Sequence, residues 1–287
     1  MIQHYFRLLR PADWIKNIFV FAPLFFAHEF FNANKFLIVF YGAVLFSIIA
    51  SSIYALNDYK DLVADRMHPT KCKRPVASGD ITPKAAVTVF VVLAAIGLLA
   101  ALNLSTDFFV VTAFYFLINI AYCFYLKNIA IIDVYCIAAG FILRVIGGAV
   151  LLSIEPTLWI ILCVGLLALF LGLAKRRDDF VCAMNEHHRK SMCGYNRNFI
   201  DVAIGIVLGA LFVFYVIYTT QPANVADLGT AHFYVTAPLV LLGILRYLQL
   251  TLVEEKSASP TQLLCSDHFL FAIVVSWVVV SGLLIYQ

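Results

Sequence analysis

Four oxygen-bearing side chains recur at helical spacing early in the sequence: Asn57, Asp58, Asp61 and Asp65. At 100° per residue, the three carboxylates lie within about 60° of one another on the surface of a helix. Such a one-sided cluster repels itself unless a cation lies among the oxygens, and oxygen-only ligands favour Mg²⁺, which usually bridges to the phosphates of a substrate. The spacing therefore predicts a magnesium site for a phosphorylated substrate. The alternative is a solvated helix end in which Lys60 and Arg66 balance the acids.

Basic side chains follow this acidic stripe directly. Lys71, Lys73 and Arg74 lie in the loop that comes after Asp65. Cations beside carboxylates suit a site in which phosphate oxygens are shared between a metal and the cations. For any single lysine, a topology signal or a contact with lipid headgroups is an equally good interpretation.

A second charged cluster lies between positions 175 and 196 and is net basic. Its charged residues are Lys175, Arg176, Arg177, Asp178, Asp179, Glu186, Arg189 and Lys190. Five Lys or Arg against three acids favour direct binding of an anion over binding through a metal, because basic side chains bind phosphate oxygens themselves. This cluster therefore predicts an anion site.

The sequence as a whole has the composition of a membrane protein. Of the 287 residues, 63% are apolar and only 13% are charged, whereas a soluble domain is about 25% charged. Too few polar residues remain to cover a soluble fold, and a net charge of +3 excludes a disordered or nucleic-acid-binding chain. The composition predicts an all-α integral membrane protein, with no nucleic acid among its partners.

Nine stretches are long and apolar enough for the roughly 20 residues that a bilayer-crossing helix needs. They are residues 17–33, 36–56, 85–104, 107–126, 129–153, 157–174, 199–220, 231–250 and 268–286. Residues 1–16 alternate basic and apolar side chains, which favours an amphipathic helix in the headgroup layer. The whole chain, 1–287, is expected to be one polytopic domain whose long loops, 57–84 and 175–198, carry the charged clusters. Two four-helix halves with equivalent loops would place both clusters over one central cavity.

The distribution of positive charge sets the expected orientation. If the N-terminus and the long loops share one side, all of the 20 Lys and Arg except Lys35 and Arg144 lie on that side or at the span ends next to it. The positive-inside rule makes this side cytoplasmic. The multi-pass protein is therefore expected in the inner or plasma membrane, with its N-terminus and both active-site loops in the cytoplasm.

The first charged stretch also resembles a known motif. It is similar to the first aspartate motif of the UbiA superfamily of intramembrane prenyltransferases, in the runs Asn57-Asp58-x-x-Asp61-x-x-x-Asp65-Arg66 and Lys71-x-x-Arg74-Pro75. The resemblance covers essentially the whole chain. It implies a bundle of nine transmembrane helices around a central cavity that opens to the cytoplasmic side and to lipid.

The second cluster decides which branch of the superfamily the sequence resembles. The commoner aromatic prenyltransferases carry a second Asp-rich, Mg²⁺-binding motif after the sixth span, where this chain has Lys175 and Arg176. That departure is similar to the decaprenyl-phosphate phosphoribosyltransferases, whose donor is 5-phosphoribosyl-1-diphosphate. Other runs that support this branch are Arg10-Pro11-x-x-Trp14-x-Lys16-Asn17, Tyr125-Leu126-Lys127, Gly140-Phe141-x-x-Arg144 and the stretch from Arg189-Lys190 to Tyr195.

The resemblance implies Mg²⁺-dependent transfer of 5-phosphoribose to a polyprenyl phosphate, with release of diphosphate, for an envelope glycolipid or polysaccharide precursor. It implies that the catalytic residues are Asp58, Asp61 and Asp65. The implied metal ligands are Asn57, Asp58, Asp61 and Asp65. The implied substrate-binding residues are Lys16, Tyr54, Lys71, Arg74, Lys127, Arg144, Lys175, Arg176, Arg189 and Tyr195.

Arg144 differs from the other basic residues because it falls inside the fifth predicted span. A cation within a membrane span is costly, and the default expectation is that it is functional. We expect it to meet the phosphate of the lipid acceptor. The alternative is an ion pair with Asp133, which lies about three turns away on the same helix face.

Two other functions stay open at this point. Prenyl transfer from a polyprenyl diphosphate to an aromatic, quinone or haem acceptor would use Asp178 and Asp179 as metal ligands. An ion-coupled transporter would use the acids for coupling, but such proteins hold their charges near the midplane in broken helices, whereas here they gather at the predicted cytoplasmic rim. The oligomeric state is also open, with a homo-oligomer among the options.

Overall fold

The computed structural model describes residues 2–68, 70–182, 194–254, 263–264 and 266–287. In this part of the chain the regular elements are all helical, as predicted. The α-helices are α1 (Ile2–Leu9), α2 (Ala22–Phe26), α3 (Ala33–Lys60), α4 (Leu62–Met67), α5 (Pro83–Leu104), α6 (Thr106–Phe124), α7 (Ile132–Leu151), α8 (Leu158–Cys182), α9 (Arg197–Thr220), α10 (Pro222–Asp227), α11 (Ala237–Leu248) and α12 (His268–Tyr286). Short 3₁₀ helices span Pro11–Phe21, Lys71–Lys73, Leu126–Asn128 and Phe233–Thr236, and a π-helical turn covers Gln249–Val253.

Eight helical segments among the described residues are long and apolar enough to cross a membrane. They correspond to eight of the nine predicted spans, from Ala33–Lys60 to His268–Tyr286. The first predicted span, 17–33, is not one continuous α-helix, because it consists of the end of the 3₁₀ helix Pro11–Phe21, the short α2 and a turn. Pro23 lies at the start of α2, where its missing N–H costs no helical hydrogen bond. The count of nine membrane crossings therefore stays a prediction.

The N-terminal segment 1–16 bends at Arg10. α1 ends at Leu9, and Arg10 has a φ of 52°, in the left-handed region. The next residue is Pro11, and a steric clash keeps the residue before a proline out of the right-handed helical region. The predicted amphipathic segment is therefore two short helices with Arg10 between them, and its position in the headgroup layer stays a prediction.

Polar side chains fix the starts of five of the long helices. The capping residues, each accepting a backbone N–H in the first turn of α3, α5, α6, α9 or α12, are Asn32, Thr82, Ser105, Asn196 and Asp267. A cap of this kind is typically worth about 1 kcal/mol. Because the caps lie at the ends of the apolar runs, they set where each helix begins.

The chain divides into two compact units. The first comprises Met1–Phe25, Glu29–Lys127 and Ala139–Glu155, and the second comprises Phe26–His28, Asn128–Ala138 and Pro156–Gln287. In the first unit, the Phe46 ring packs edge to face on Phe108 and Tyr115, with centroids 5.6 and 5.4 Å away. In the second unit, Phe170 and Tyr247 pack edge to face at 4.6 Å. Each unit therefore has its own core.

Two glycines let α7 approach its neighbours in the first unit. A Cβ on Gly148 would lie 1.9 Å from the Val20 carbonyl oxygen, and a Cβ on Gly147 would lie 2.7 Å from the Phe46 ring. Helix α7 and the 3₁₀ helix Pro11–Phe21 are thus in backbone contact at Gly148, where any larger residue would clash. This contact fixes the segment that follows Arg10.

Many large apolar side chains lie on the outer faces of the long helices. Four of these side chains are each more than 60% exposed: Leu99, Leu117, Val202 and Ile206. The helices that carry them have few charged residues. A soluble monomer rarely exposes large areas of apolar surface. A lipid environment removes the cost of this exposure, so these faces suit a membrane-embedded protein.

Candidate active site

The acidic stripe lies where α3 ends and α4 begins. The Asp61 N–H donates to the Asn57 carbonyl at 2.9 Å, and the Asp65 N–H donates to the Asp61 carbonyl at 2.7 Å. These bonds continue the helical pattern across the junction between the two helices. The helical spacing on which the stripe was predicted is therefore present in the structure.

One arginine holds two of the carboxylates. Arg74 Nη1 lies 2.7 Å from Asp65 Oδ2 and 3.4 Å from Asp58 Oδ1. Arg10 also donates a hydrogen bond to Asp58 Oδ1, and its guanidinium lies 5.1 Å from the centroid of the Tyr54 ring. Asp58 and Asp65 are both buried. Their charges are therefore balanced by arginines rather than by water.

A lysine holds the other two oxygens of the stripe. Lys127 lies in the 3₁₀ helix that follows α6, hydrogen-bonds Asp61 Oδ1, and has its Nζ 3.4 Å from Asn57 Oδ1. The Lys127 side chain is itself buried. Its ammonium therefore takes the position of a cation shared between Asn57 and Asp61.

The side-chain oxygens of the stripe fit a magnesium ion only when a bound substrate supplies further oxygens. No three His, Cys, Asp or Glu side chains within the described ranges are grouped to hold a metal. Asn57 and Asp61 nevertheless direct one oxygen each towards a single cation. Mg²⁺ is usually held by one or two carboxylates together with substrate phosphates and water. These two residues would therefore hold Mg²⁺ when a phosphorylated substrate supplies further oxygens, whereas Asp58 and Asp65 face arginines.

Arg144 is buried in α7 and is bound by neutral groups. Its Nε donates to Asn17 Oδ1 at 2.7 Å, its Nη1 to the Gly140 carbonyl at 2.7 Å, and its Nη2 to the Tyr115 hydroxyl at 2.9 Å. The guanidinium carbon also lies 4.8 Å from the Tyr115 ring centroid and 5.5 Å from that of Phe141. Hydrogen bonds and aromatic faces thus stabilise its charge. No carboxylate pairs with Arg144 in the described part of the chain.

Arg176 is the centre of a buried network in the second unit. Its Nε donates to Asp133 Oδ2 at 2.7 Å and its Nη1 to Asp179 Oδ2 at 2.8 Å. The Tyr195 hydroxyl donates to Asp133 Oδ1 at 2.6 Å and accepts the Ile131 N–H at 2.6 Å. Burial and the hydrogen bond to Asp133 raise the pKa of Tyr195, so the phenol stays protonated and remains a donor.

The remaining predicted substrate-binding residues differ in their surroundings. Lys175 is exposed on α8, and Lys16 forms an ion pair with Asp13 at 2.6 Å. Lys71 begins the short 3₁₀ helix after α4. Arg189 lies outside the residues that the structure describes.

The structure groups the predicted site residues within each unit. The first unit brings together Tyr54, Asn57, Asp58, Asp61, Asp65, Arg74 and Lys127. The second unit brings Arg176 and Tyr195 together around Asp133. The catalytic and binding roles of all these residues stay predictions.

Three further residues take part that the sequence did not single out. Arg10 contacts Asp58, whereas Asn17 and Tyr115 contact Arg144. A signal existed for Arg10 and Asn17, since both belong to the short run that carries the family resemblance. Nothing in the local pattern indicates Tyr115, because it lies on another helix. The sequence also offered Asp133 as a partner for Arg144, but Asp133 pairs with Arg176 and Tyr195.

Eight apolar helical segments in the described residues define an integral, multi-pass membrane protein. Its charged cluster pairs carboxylates with cations. The profile of the UbiA prenyltransferase family matches residues 17–273, and the chain belongs to this family of membrane-bound transferases. The family predicted from the aspartate motif is thus confirmed.

Named relatives are similar along almost the full chain. The decaprenyl-phosphate phosphoribosyltransferase of Mycolicibacterium smegmatis is 30% identical, over 100% of this chain and 93% of the relative. The protein of the same name from Corynebacterium glutamicum is 28% identical, over 98% of this chain and 86% of the relative. Among solved structures, a UbiA homolog from Archaeoglobus fulgidus bound to GPP and Mg²⁺ has a TM-score of 0.75 at 17% identity, over 99% of both chains. The structural similarity confirms the fold, and the named relatives represent the branch that the second cluster predicted.

Proposed function

We propose that this protein transfers 5-phosphoribose from 5-phosphoribosyl-1-diphosphate to a polyprenyl phosphate and releases diphosphate. The observation that carries the proposal is the pairing of the motif acids with Arg10, Arg74 and Lys127. Because these acids are already neutralised, a donor with two anionic ends can approach cations without facing uncompensated carboxylates. Similarity to the named phosphoribosyltransferases over almost their full length supports this choice of donor.

We assign the diphosphate end of the donor to Asn57, Asp61 and Lys127. Asn57 and Asp61 would hold Mg²⁺, which neutralises charge on the diphosphate and makes it a better leaving group. Lys127 contacts both residues, and a lysine ammonium on a flexible stem can turn to a phosphate oxygen. The candidates within the first unit for further oxygens of the diphosphate are Lys16, Lys71 and Arg74.

The reaction exchanges one bond at C1 of the ribose for another. The bond from C1 to the diphosphate oxygen breaks, and C1 forms a bond to a phosphate oxygen of the lipid. Carboxylates of the stripe, Asp58 and Asp65 among them, would stabilise the positive charge that develops on the sugar ring. The acceptor phosphate is already ionised at pH 7, so the reaction requires no strong general base.

Arg144 is our candidate for holding the phosphate of the lipid acceptor. It is buried within a membrane-spanning helix, where a cation is costly and by default functional. Its described contacts are hydrogen bonds to Asn17, Gly140 and Tyr115, and none of them neutralises its charge. An anionic headgroup would supply the missing negative charge.

The proposed setting is the cytoplasmic side of the membrane. The concentration of Lys and Arg in the N-terminal segment and the long loops supports a cytoplasmic N-terminus. A phosphoribosylated polyprenyl lipid made there would be a precursor for an envelope glycolipid or polysaccharide.

A comparison of two donors tests the proposal. Purified protein with Mg²⁺ and a polyprenyl phosphate receives labelled 5-phosphoribosyl-1-diphosphate, and a parallel sample receives labelled prenyl diphosphate with an aromatic acid. We expect label from the first donor to enter the lipid phase and EDTA to abolish this transfer. Label from the prenyl donor alone would overturn the proposal and make Asp178 and Asp179 the candidates for a second metal site.

A further inference from the structure

A cavity of about 430 Å³ lies in the first unit, beside the acidic stripe. The charged residues that line it are Arg7, Arg10, Asp13, Asp58, Lys73 and Arg74. They come from α1, from the bend at Arg10, from the 3₁₀ helix Pro11–Phe21, from α3, and from the segment Lys73–Arg74 after α4. Pockets for small molecules typically have volumes of about 300–1,000 Å³, so this one is large enough for a sugar phosphate.

Positive charge is in excess in this cavity. Asp13 is already paired with Lys16 at 2.6 Å, and Asp58 is paired with two arginines. Arg7 Nη2 donates to the Lys73 carbonyl at 2.8 Å, which is a neutral acceptor. Neither Arg7 nor the Lys73 ammonium forms an ion pair within the part of the chain that the structure describes. Two basic side chains that line one cavity without ion pairs of their own can bind a phosphate group.

The backbone of Arg10, in the wall of the cavity, is strained. Its φ of 52° and ψ of 61° place it in the left-handed region, which a residue with a side chain adopts at a cost. With the backbone in this conformation, the Arg10 guanidinium contacts both Asp58 and the face of the Tyr54 ring. Strain of this kind concentrates at ligand sites, where the surrounding structure holds a side chain in place.

Asp58 has one carboxylate oxygen without a hydrogen-bond partner in the described part of the chain. Its Oδ1 accepts a hydrogen bond from Arg10 and lies 3.4 Å from Arg74, whereas its buried Oδ2 accepts no hydrogen bond among the described residues. A buried acceptor without a donor is costly, so a ligand that supplies a donor is favoured. A sugar hydroxyl is such a donor. The cavity thus combines a receptor for phosphate with an acceptor for a hydroxyl group.

We propose that this cavity binds the phosphorylated sugar end of the donor, with the 5-phosphate at Arg7 and Lys73 and a ribose hydroxyl donating to Asp58 Oδ2. The inference rests on the proposed function and deepens it, because it separates the two anionic ends of one donor. Asn57 and Asp61, next to Asp58 in the stripe, then take the diphosphate. A prenyl diphosphate has no further phosphate group apart from its diphosphate and no sugar hydroxyl, so the cavity selects against it.

Binding of ribose 5-phosphate tests the subsite without turnover. Calorimetry on the purified full-length protein in EDTA would compare ribose 5-phosphate with inorganic phosphate. We expect ribose 5-phosphate to bind without metal, and Lys73→Gln to weaken it by about tenfold through loss of a charge-assisted contact. The control variant Lys84→Gln removes an exposed lysine at the start of α5 and should leave binding unchanged. Absence of binding to the wild type would overturn the subsite.

A second variant tests the hydroxyl contact. Asp58→Asn keeps the shape of the side chain but replaces one acceptor oxygen by a donor group. We expect it to lower the preference for ribose 5-phosphate over inorganic phosphate. An unchanged preference in a variant that elutes as a folded monodisperse protein would contradict the assignment of Asp58 Oδ2.

Kinetic measurements distinguish whether the cavity holds the donor or the lipid acceptor, because both carry a phosphate monoester. In a wild type that transfers phosphoribose, Lys73→Gln should raise the KM for the donor about tenfold and leave the KM for the polyprenyl phosphate unchanged. A rise in the acceptor KM instead would mean that the cavity holds the lipid phosphate, and this would overturn the inference while the proposed function stands. Lys73-dependent binding of ribose 5-phosphate without any phosphoribosyl transfer would overturn the proposed function and leave the subsite standing.

Discussion

Arg74 and Lys127 each contact two of the oxygen-bearing side chains in the first motif. Arg74 contacts Asp58 and Asp65, and Lys127 contacts Asn57 and Asp61. A buried carboxylate without such a partner carries a penalty of several kcal/mol. The cations that make the acidic stripe tolerable are therefore also those that an arriving phosphate would meet.

At the scale of single residues, we predict that Asp61→Asn loses Mg²⁺-dependent turnover by about 10²-fold or more, because the site loses a charged oxygen at the point where the diphosphate leaves. The measurement is the initial rate of phosphoribosyl transfer by purified protein at saturating Mg²⁺. Asp107→Asn is the control, since Asp107 is exposed in the first turn of α6 and should keep the wild-type rate. Full turnover by Asp61→Asn would contradict the assignment.

Arg144 gives a second prediction at this scale. Arg144→Gln removes the hydrogen bonds to Asn17 and Tyr115, and the unfolding free energy should fall by about 2 kcal/mol or more because buried partners are left unsatisfied. Thermal unfolding in detergent, followed by tryptophan fluorescence, measures this change. Arg197→Gln, an exposed arginine in the first turn of α9, should leave the midpoint unchanged. Equal midpoints for both variants would show that the Arg144 contacts are energetically unimportant.

At the scale of elements, the backbone contact between α7 and the 3₁₀ helix Pro11–Phe21 positions Asn17 and the bend at Arg10. We predict that Gly148→Ala is strongly destabilising, because its Cβ would lie 1.9 Å from a backbone oxygen that cannot move without shifting the 3₁₀ helix. The expected result is a lower melting temperature together with lower activity.

Gly209→Ala in α9 is the matched control for this clash. A Cβ at Gly209 meets nothing within 4 Å, and alanine in a helix interior is favoured over glycine by about 1 kcal/mol. The control should therefore melt at the same temperature as the wild type or higher. If Gly148→Ala behaved in the same way, the close approach at Val20 would not exist in the protein.

The helices that carry the site were predictable, whereas most contacts within the site were not. Apolar runs of sufficient length located α3 and the seven later spans, and the motif residues Asn57 to Asp65 are close in sequence and therefore visible as a stripe. Lys127 lies 66 residues from Asp61, and Arg176 lies 43 residues from Asp133. Pairings over such separations depend on helix packing, so the pattern alone could not assign Asp133 to Arg176.

The first predicted span shows what hydropathy alone leaves open. Residues 17–33 are apolar enough for a span, but Pro11, Pro23 and the close contact at Gly148 favour a 3₁₀ helix followed by a short α2. Hydropathy reports only how apolar a segment is, and it does not report which helical geometry the packing selects.

At the scale of the whole molecule, the distribution of Lys and Arg predicts which end of each helix faces the cytoplasm. Helix α5 offers a direct test, because Lys84 and Thr106 are both exposed near its opposite ends. In a cysteine-free background, Lys84→Cys should resist a membrane-impermeant thiol reagent added to intact cells, while Thr106→Cys should react. The opposite labelling pattern would contradict the cytoplasmic assignment of the active-site loops.

The central claim is that the ribose, and not the diphosphate, becomes joined to the lipid. The most direct measurement supplies 5-phosphoribosyl-1-diphosphate with a carbon label in the ribose and a phosphorus label in the diphosphate, together with a polyprenyl phosphate and Mg²⁺. We predict that the carbon label enters the lipid phase in equal amount to the diphosphate released into water. Phosphorus label in the lipid phase, or release of diphosphate without ribose in the lipid, would contradict the account.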